Sequence, residues 1–274
     1  MPDGLVPDGL SERIAPLLPP WPPRRHRHPG RLPADDRAAL RGIVYVLRKN
    51  VSWRDVPAER TGCSRVTAWR RRDWTEAGVW PRLHEVLLAE LRKAGLLDMD
   101  DATIDGSHVR ALKGGSHTGP SPVDRARPGS KRHLIVDRHC TPLAVTLTGG
   151  NRHDVARLTP LPNAIPRIRG LVGRPRHRSR RLFADRDYDY DYDYDYDKYR
   201  RIPRARGIIP KIARRGVPHG SGLGKTRWVV ERTFAWLHQF KRLRIRYGIR
   251  ADLHLGLLQL TCSIICLRRL RTSS

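Results

Sequence analysis

The hydrophobic pattern of the chain changes near residue 100, and this change most limits its fold. Before that point apolar residues recur every three or four positions, as in residues 40–47, which is typical of helices. After it, short β-rich runs appear, such as residues 133–136 and 143–147. We therefore predict two domains, a helical one over residues 1–97 and an α/β one over residues 98–274.

The helical part contains an arginine-rich segment over residues 63–72, which we predict to form a basic helix. Asp35 or Asp36 is expected to cap the helix before it. Short helices joined by tight turns, one of them loaded with arginines, favour a helix-turn-helix DNA-binding domain. The alternative is a helical bundle whose arginines are only solvated. The tryptophans of this region are expected to be core residues rather than base-stacking ones: Trp69, Trp74 and Trp80.

The second part is expected to alternate strands and helices in the order β-β-β-α-β-α-β-α. The predicted strands cover residues 102–109, 133–136, 143–147, 182–185 and 207–212, and the predicted helices cover residues 154–168, 225–244 and 254–269. The turn between the second and third strands makes a hairpin. The chain is thus expected to belong to the α/β class, with a mixed sheet behind α-helices.

The charge balance predicts a polyanionic partner. Lysine and arginine number 54 against 27 acidic residues, which gives a formal net charge of +27. Such a charge repels itself unless a polyanion compensates it, and nucleic acid is a better candidate than an anionic membrane. Nine basic residues are predicted to contact DNA phosphates: Arg65, Arg70, Arg71, Arg72, Lys211, Arg214, Arg215, Lys241 and Arg242.

No membrane segment or export signal is expected. The longest apolar stretch, residues 253–267, is interrupted by His254 and Gln259, so it is interpreted as a buried helix too short to span a bilayer. Cys262 and Cys266 are expected to pack in the core rather than bind zinc. The chain is therefore expected to be cytoplasmic, where disulfides are rare.

Three acidic residues, far apart in the chain, could form one site. Asp105 and Asp185 each follow a short apolar strand, and Glu231 lies on a predicted helix. On that helix Arg227, Glu231 and His238 share a polar arc, whereas the apolar arc faces the sheet and comprises Val229, Val230, Thr233, Trp236, Leu237 and Phe240. Each acid alone is weak evidence, since a solvated glutamate paired with an arginine four residues away is common.

Together the three carboxylates would make a site of oxygen ligands only, which suits Mg²⁺ or Mn²⁺. Two such ions can activate an attacking hydroxyl and stabilise the leaving oxygen of a phosphodiester. The combination of this site with a strongly basic chain predicts a phosphoryl-transfer enzyme that acts on DNA.

Four ordered blocks carry a family resemblance: TIDGSH at 103–108, GGNRHD at 149–154, LFADR at 182–186 and RWVVERTFAW at 227–236. With them the chain resembles bacterial insertion-sequence transposases of the DDE type, in the insertion-sequence-five group. The resemblance implies a ribonuclease H-like catalytic domain behind a helix-turn-helix domain. It also implies Asp105, Asp185 and Glu231 as the ligands of the metal ions.

The same resemblance implies an activity and partners. Such enzymes cut double-stranded DNA at the terminal inverted repeats of their element and join the 3′ ends to target DNA. They are expected to work as a homodimer or higher oligomer on nucleoid DNA. His153, Asp154, Arg227 and His238 are expected either to support the metal ligands or to contact the DNA backbone near the metals. For His153 and Asp154 the alternative is a loop followed by a helix that Asp154 caps.

The chain departs from the family pattern beside Asp185. Where relatives have Gly-Tyr-Asp, Asp187 stands at the glycine position and a Tyr-Asp repeat follows through residue 197. His238 also stands where relatives often have lysine or asparagine. The repeat is interpreted as a surface expansion, and it raises the alternative of a catalytically impaired copy that only binds DNA. A host nuclease that cuts without joining is a further alternative.

Overall fold

A computed structural model describes residues 6–21, 27, 35–63, 66–188, 198–213 and 224–272. The first part of the chain is helical. Its helices are α1 (Asp8–Ile14), α2 (Asp36–Lys49), α3 (Ala58–Thr61), α4 (Val66–Glu76) and α5 (Val79–Lys93). A short 3-10 turn, Ala15–Leu17, follows α1.

Helix α2 forms where an acidic cap precedes an amphipathic run. The Asp35 carboxylate accepts a hydrogen bond of 2.9 Å from the backbone N–H of Ala38, which confirms the predicted cap. Ala39, Leu40, Ile43, Val44 and Leu47 form its buried face. The helix ends at Lys49. The next residue, Asn50, has a left-handed backbone (φ 62°), and its N–H donates to the Val46 carbonyl of the last turn.

The tryptophans after α2 divide between core and surface. Trp74 and Trp80 are buried with their rings edge to face at 5.8 Å, as predicted for core residues. The prediction was wrong for Trp69, whose surface is 60% exposed. Trp69 lies on the outer side of α4, where the Arg72 guanidinium stacks 4.8 Å from its ring centroid instead of the core covering it.

Among the described residues, the second part forms a mixed sheet of seven strands. Its strands are β1 (Asp101–Ala111), β2 (Gly119–Pro120), β3 (Pro128–Asp137), β4 (Pro142–Gly149), β5 (Arg181–Ala184), β6 (Ile209–Ile212) and β7 (Ile245–Arg246). Strands β1, β3 and β4 pair antiparallel, which confirms the predicted hairpin, and β5 and β6 run parallel to β1. The main strand order is therefore β4-β3-β1-β5-β6, with β2 added to β3 and β7 to β1.

In the part of the chain that the structure describes, four helices accompany the sheet: α6 (Pro160–Asn163), α7 (Lys198–Arg204), α8 (Gly224–His238) and α9 (Ala251–Thr272). Two predicted helices were too long. Residues 154–168 form only a 3-10 turn and the one-turn α6, since the prolines of this stretch cannot continue a helical hydrogen-bond ladder. The helix predicted over 225–244 ends at His238, since the buried Phe240 has an extended backbone and a 3-10 turn, Lys241–Arg244, leads from it to β7.

Helix α9 is the centre of the molecule. It packs against α5, α8 and β4, and Cys262 and Cys266 are fully buried in it, as predicted. With 22 residues it is longer than expected and meets the length and apolarity of a membrane span, but 67% of its most apolar window is buried in the protein. This burial confirms the interpretation as a core helix.

The described helices and the sheet share one hydrophobic core. The cluster runs without a break from Leu40 in α2 through Leu87 in α5 and Leu258 in α9 to Leu134 in β3. The domain boundary between residues 97 and 98 stays a prediction, and the two parts on either side of it are in close contact.

Candidate active site

Neighbouring elements place the three predicted acids together. Strand β1 runs through Asp105 to Ala111, two residues beyond the predicted strand over residues 102–109. Strand β5 pairs in parallel with β1 up to Thr103 and Phe183, so the chain reaches Asp185 beside Asp105. Helix α8, which packs on β1 and β3, supplies Glu231.

The three carboxylates surround one nitrogen atom. Nη2 of Arg227 lies 3.5 Å from Asp105 Oδ2, 3.4 Å from Asp185 Oδ2 and 3.6 Å from Glu231 Oε1. Within the described ranges, no three His, Cys, Asp or Glu side chains stand close enough to hold a metal ion as they are. The guanidinium of Arg227 is the cation at the centre of the acidic cluster.

The two aspartates are poorly hydrated, and their pKa values show it. Their side chains are each 18% exposed, against 61% for Glu231. Burial raises the pKa of Asp105 to about 6, and the Asp185 charge adds to this, although the Gly106 N–H and Arg227 oppose it. Burial also raises the pKa of Asp185. The protein alone therefore compensates these negative charges incompletely.

A buried ion pair lies behind Asp105. Asp154 binds Lys131 Nζ at 2.5 Å and faces His133 Nδ1 at 3.3 Å. Burial alone would raise the pKa of Asp154, but its bonds to His133 and Lys131 outweigh burial and lower it. Asp154 does not cap its 3-10 turn, so that alternative was wrong, and His153 is exposed at the start of the turn.

His238 lies outside the acidic cluster. Its Nε2 accepts a hydrogen bond of 2.8 Å from Arg132, a fully buried side chain that also donates to Ser107 Oγ of β1. Burial and the nearby Arg132 and Arg244 charges lower the pKa of His238. In the polar arc predicted on α8, Arg227 and Glu231 thus lie in the acidic cluster with Asp105 and Asp185, whereas His238 faces β3.

The apolar arc of α8 packs on the sheet as expected, except at one tryptophan. Val229, Val230, Thr233, Leu237 and Phe240 are buried, whereas Trp236 is only half-buried.

Tyr188 lies near the acidic cluster and was not predicted as a site residue. Its ring is fully buried, and its hydroxyl has no hydrogen-bond partner in the described part of the chain. Burial raises its pKa well above the ordinary value, and the charges of Asp154, Asp105 and Asp185 add to this. Tyr188 occupies the tyrosine position of the family's Gly-Tyr-Asp pattern. This position could have indicated its role, but Tyr188 is also the first tyrosine of the Tyr-Asp repeat and was interpreted as part of it. Residues 189–197 of that repeat lie outside the described residues.

The nine basic residues predicted to contact DNA differ in their surroundings. Arg65, Arg214 and Arg215 lie outside the described residues, and Lys211 and Lys241 are exposed. Arg70 stacks 3.7 Å from the Trp21 ring, and Arg72 stacks on Trp69. Arg71 and Arg242, from distant segments, both approach the ring of Trp53.

The fold and the site define an α/β protein that holds acidic side chains from two parallel strands and one helix around a single cationic position. A family described as "Transposase DDE domain" matches residues 97–266, and one described as "Putative transposase of IS4/5 family" matches residues 6–84. The chain therefore belongs to the DDE transposases of the IS4/5 family, which confirms the resemblance and favours a transposase over a host nuclease.

Two similar proteins come from Burkholderia cepacia. The "Putative transposase for insertion sequence element IS402" is 56% identical over 154 residues, which cover 56% of this chain and 70% of that protein. The "Insertion element IS402 uncharacterized 16.2 kDa protein" is 52% identical over 119 residues, 43% of this chain and 81% of that one.

One solved structure shows only a distant likeness. A chain of the simian T-cell lymphotropic virus intasome, solved with the PP2A regulatory subunit B56 gamma, is 13% identical at a TM-score of 0.31. The match covers 60% of this chain and 50% of that one, too weak a likeness to indicate a shared function.

Proposed function

We propose that this transposase cuts double-stranded DNA at the terminal inverted repeats of its insertion sequence and transfers the 3′ ends to target DNA. Asp105, Asp185 and Glu231 would hold two Mg²⁺ or Mn²⁺ ions for this reaction. The observation that carries the proposal is the placement of these three carboxylates around Arg227 Nη2.

The residues fit the divalent ions that DDE transposase domains generally use. Three carboxylates supply oxygen ligands only, the kind that Mg²⁺ and Mn²⁺ prefer. Arg227 occupies the centre of the cluster as a cation, so a positive charge is accommodated there. When bound, such ions activate the attacking oxygen and stabilise the leaving oxygen at a phosphodiester.

The remaining residues of the site have supporting roles in this proposal. Arg227 partly compensates the three carboxylates in the metal-free protein. Gly106 lets Asp154 approach β1, because a side-chain carbon there would meet Asp154 Oδ1 at 2.5 Å. The Asp154–Lys131 pair then holds the 3-10 turn Asp154–Arg157 against β3 and next to Gly106, the residue after Asp105.

The architecture supports a ribonuclease H-like catalytic domain over residues 98–274. Three antiparallel strands come first, and two strands parallel to β1 follow, each adjacent in the order β4-β3-β1-β5-β6. For residues 1–97, α3 ends at Gly62 in a left-handed turn (φ 72°) and the basic α4 follows, which supports a helix-turn-helix DNA-binding domain.

The partners follow from the charge. Transposases act on DNA, and a chain of net charge +27 suits duplex DNA through its phosphates. We propose a homodimer or higher oligomer assembled on the two element ends, working on nucleoid DNA in the cytoplasm.

The test replaces each acid by its amide. Asp105→Asn, Asp185→Asn and Glu231→Gln are each expected to abolish metal-dependent nicking of a duplex that carries the element end, because each removes a charged oxygen ligand. Duplex binding in a gel-shift assay should survive. Glu12→Gln, in an exposed turn of α1, serves as the matched control and should cut normally. Full cleavage by any of the three variants would remove that residue from the site.

A catalytically impaired copy that only binds DNA is the second candidate, and Asp187 favours it. This residue stands where relatives have glycine, its N–H donates to Asp185 Oδ1 at 2.9 Å, and its charge contributes to raising the pKa of Asp185. An added negative charge beside the cluster opposes ionisation of Asp185.

Asp187→Gly tests this candidate. If the copy is impaired at this position, the variant should nick the element-end duplex faster than wild type at the same Mg²⁺ concentration. A version trimmed to one Tyr-Asp unit tests the repeat separately. Equal rates for all three proteins would remove the idea of impairment.

A further inference from the structure

A cavity of about 710 Å³ lies between the two parts of the chain, away from the acidic cluster. We call it the junction cavity. Residues after α2, helix α4, strand β7 and the start of α9 border it, and its lining includes Trp53, Arg71, Arg242, Tyr247 and His254. One of its walls thus comes from the helical part and the other from the α/β part.

Two arginines share one aromatic ring in the junction cavity. The guanidinium carbon of Arg71 lies 4.2 Å from the Trp53 ring centroid, and that of Arg242 lies 5.8 Å from the same centroid. Arg242 also lies 4.3 Å from the Tyr247 ring. Aromatic faces attract both cations, but they carry no net charge and leave the repulsion between the arginines in place.

In the described part of the chain, the acids near these arginines compensate their charge only weakly. Neither Arg71 nor Arg242 has a carboxylate within ion-pair distance there, and the buried Nε of Arg71 has no acceptor. The nearby acids are engaged elsewhere, since Glu76 and Asp252 bind Arg250 at 2.7 and 2.5 Å. Burial, followed by repulsion from Arg242 and Arg250, lowers the pKa of Arg71 to about 10, although the Asp252 charge opposes this.

A buried histidine adds a hydrogen-bonding group to the same cavity. His254 is 7% exposed, and its Nε2 has no partner in the part of the chain that the structure describes. Burial and the surrounding arginines lower its pKa to about 3, so the ring is neutral at neutral pH. A neutral imidazole can donate one N–H, and leaving a buried polar atom unpaired is unfavourable.

We propose that the junction cavity binds a phosphodiester group of the DNA backbone through Arg71, Arg242 and His254, an inference that rests on the proposed action on DNA. An anion would compensate these two half-buried cations, which have aromatic faces but no carboxylate bound to them. A phosphate suits two guanidinium groups, whose planar forks bind its oxygens in pairs.

The DNA backbone is the favoured source of this phosphate. Arg71 lies on α4, the helix predicted to contact DNA, and the whole chain has a net charge of +27. A phosphate in the junction cavity would contact the helical part and the α/β part at once. Bound DNA would therefore hold the predicted recognition helix in a fixed position relative to the sheet.

Thermal unfolding of the metal-free full chain tests the anion site. Inorganic phosphate, compared with chloride at equal ionic strength, should raise the Tm of wild type saturably, by about 3 °C. Arg71→Gln and Arg242→Gln should each lose most of this shift. Arg174→Gln, which removes the same charge from an exposed loop position, should keep it.

Duplex binding at several salt concentrations, again without metal, tests the source. If the phosphate belongs to DNA, the slope of log K against log salt should become smaller by about 1 in each cavity variant and stay unchanged in Arg174→Gln. Loss of the phosphate shift with an unchanged slope would mean that the cavity binds a free anion, which overturns the DNA assignment.

Other outcomes overturn the site itself. Equal phosphate shifts in wild type and both cavity variants would show general charge screening. If the variants fail to fold, wild type alone decides, because the absence of a saturable phosphate shift contradicts an anion site. None of these measurements involves cleavage, so they stand or fall separately from the metal-dependent reaction.

Discussion

Asp105 carries its charge where water is largely excluded, and this has a measurable consequence for stability. Its pKa is about 6 in the folded protein against an ordinary 3.8, so the folded state binds the proton more tightly than the unfolded state. Below pH 3.8 Asp105 is protonated in both the folded and the unfolded state, so its ionisation does not change the free energy of unfolding. Between pH 3.8 and 6 Asp105 is ionised in the unfolded chain but still largely protonated in the folded protein, so the free energy of unfolding decreases as the pH rises. Well above pH 6 the total decrease is about 3 kcal/mol.

Asp105→Asn is therefore expected to raise the Tm of the metal-free protein at pH 8, because asparagine resembles the protonated acid. The gain should shrink as pH falls through 6 and vanish near pH 4. Calorimetry at a series of pH values measures this, with Glu12→Gln as the control that should show no such trend. An Asn variant less stable than wild type at pH 8 would show that the Asp105 charge is well compensated in the protein.

Gly106 shows how a strand can make room for an ion pair. A side-chain carbon at this position of β1 would lie 2.5 Å from Asp154 Oδ1 and 3.0 Å from Lys131 Cε. Gly106→Ala is expected to displace Asp154 from Lys131 and to destabilise the protein by about 1–3 kcal/mol. Urea unfolding measures the change. The control is Gly248→Ala, since nothing lies within 4 Å of a side-chain carbon there, and equal effects would contradict the argument.

Among the helices and strands, the sequence pattern correctly predicted the features that depend on interactions between neighbouring residues. The Asp35 cap, the β3–β4 hairpin and the strand before Asp185 depend on neighbouring residues, and all three form. The end of α8 depends on β7 pairing with β1, a contact between residues more than a hundred positions apart. No periodicity within residues 225–244 contains that information, so the helix was predicted too long.

The site was predictable only in part for the same reason. Asp105, Asp185 and Glu231 stand in recognisable blocks, and their elements meet. Lys131 and His133 lie on β3, a strand whose residues from Gly129 onward are buried, and the pairing of that strand with its neighbours decides which of them meet Asp154. The junction cavity was out of reach, because Arg71 and Arg242 are brought together only by the packing of the two parts.

At the scale of the whole molecule, the shared core links the two parts. Gly256 of α9 lies where a side-chain carbon would meet Trp80 Cδ1 at 2.8 Å and Thr75 Oγ1 at 3.0 Å, so α9 fits closely against the ring of Trp80. Leu87 of α5 is fully buried in the same core. Family matches on either side of residue 97 therefore do not imply that the two parts unfold independently.

Leu87→Ala distinguishes one cooperative unit from two. Removing this buried side chain is expected to destabilise the core by about 2–5 kcal/mol. If α5 and α9 unfold together, amide hydrogen exchange should accelerate by a similar factor in both helices, since both depend on the same opening reaction. Faster exchange in α5 with unchanged exchange in α9 would show two independent domains. With two independent domains, DNA would have to fix their relative orientation when it binds in the junction cavity. With a single cooperative unit, both walls of the junction cavity are in position before DNA binds.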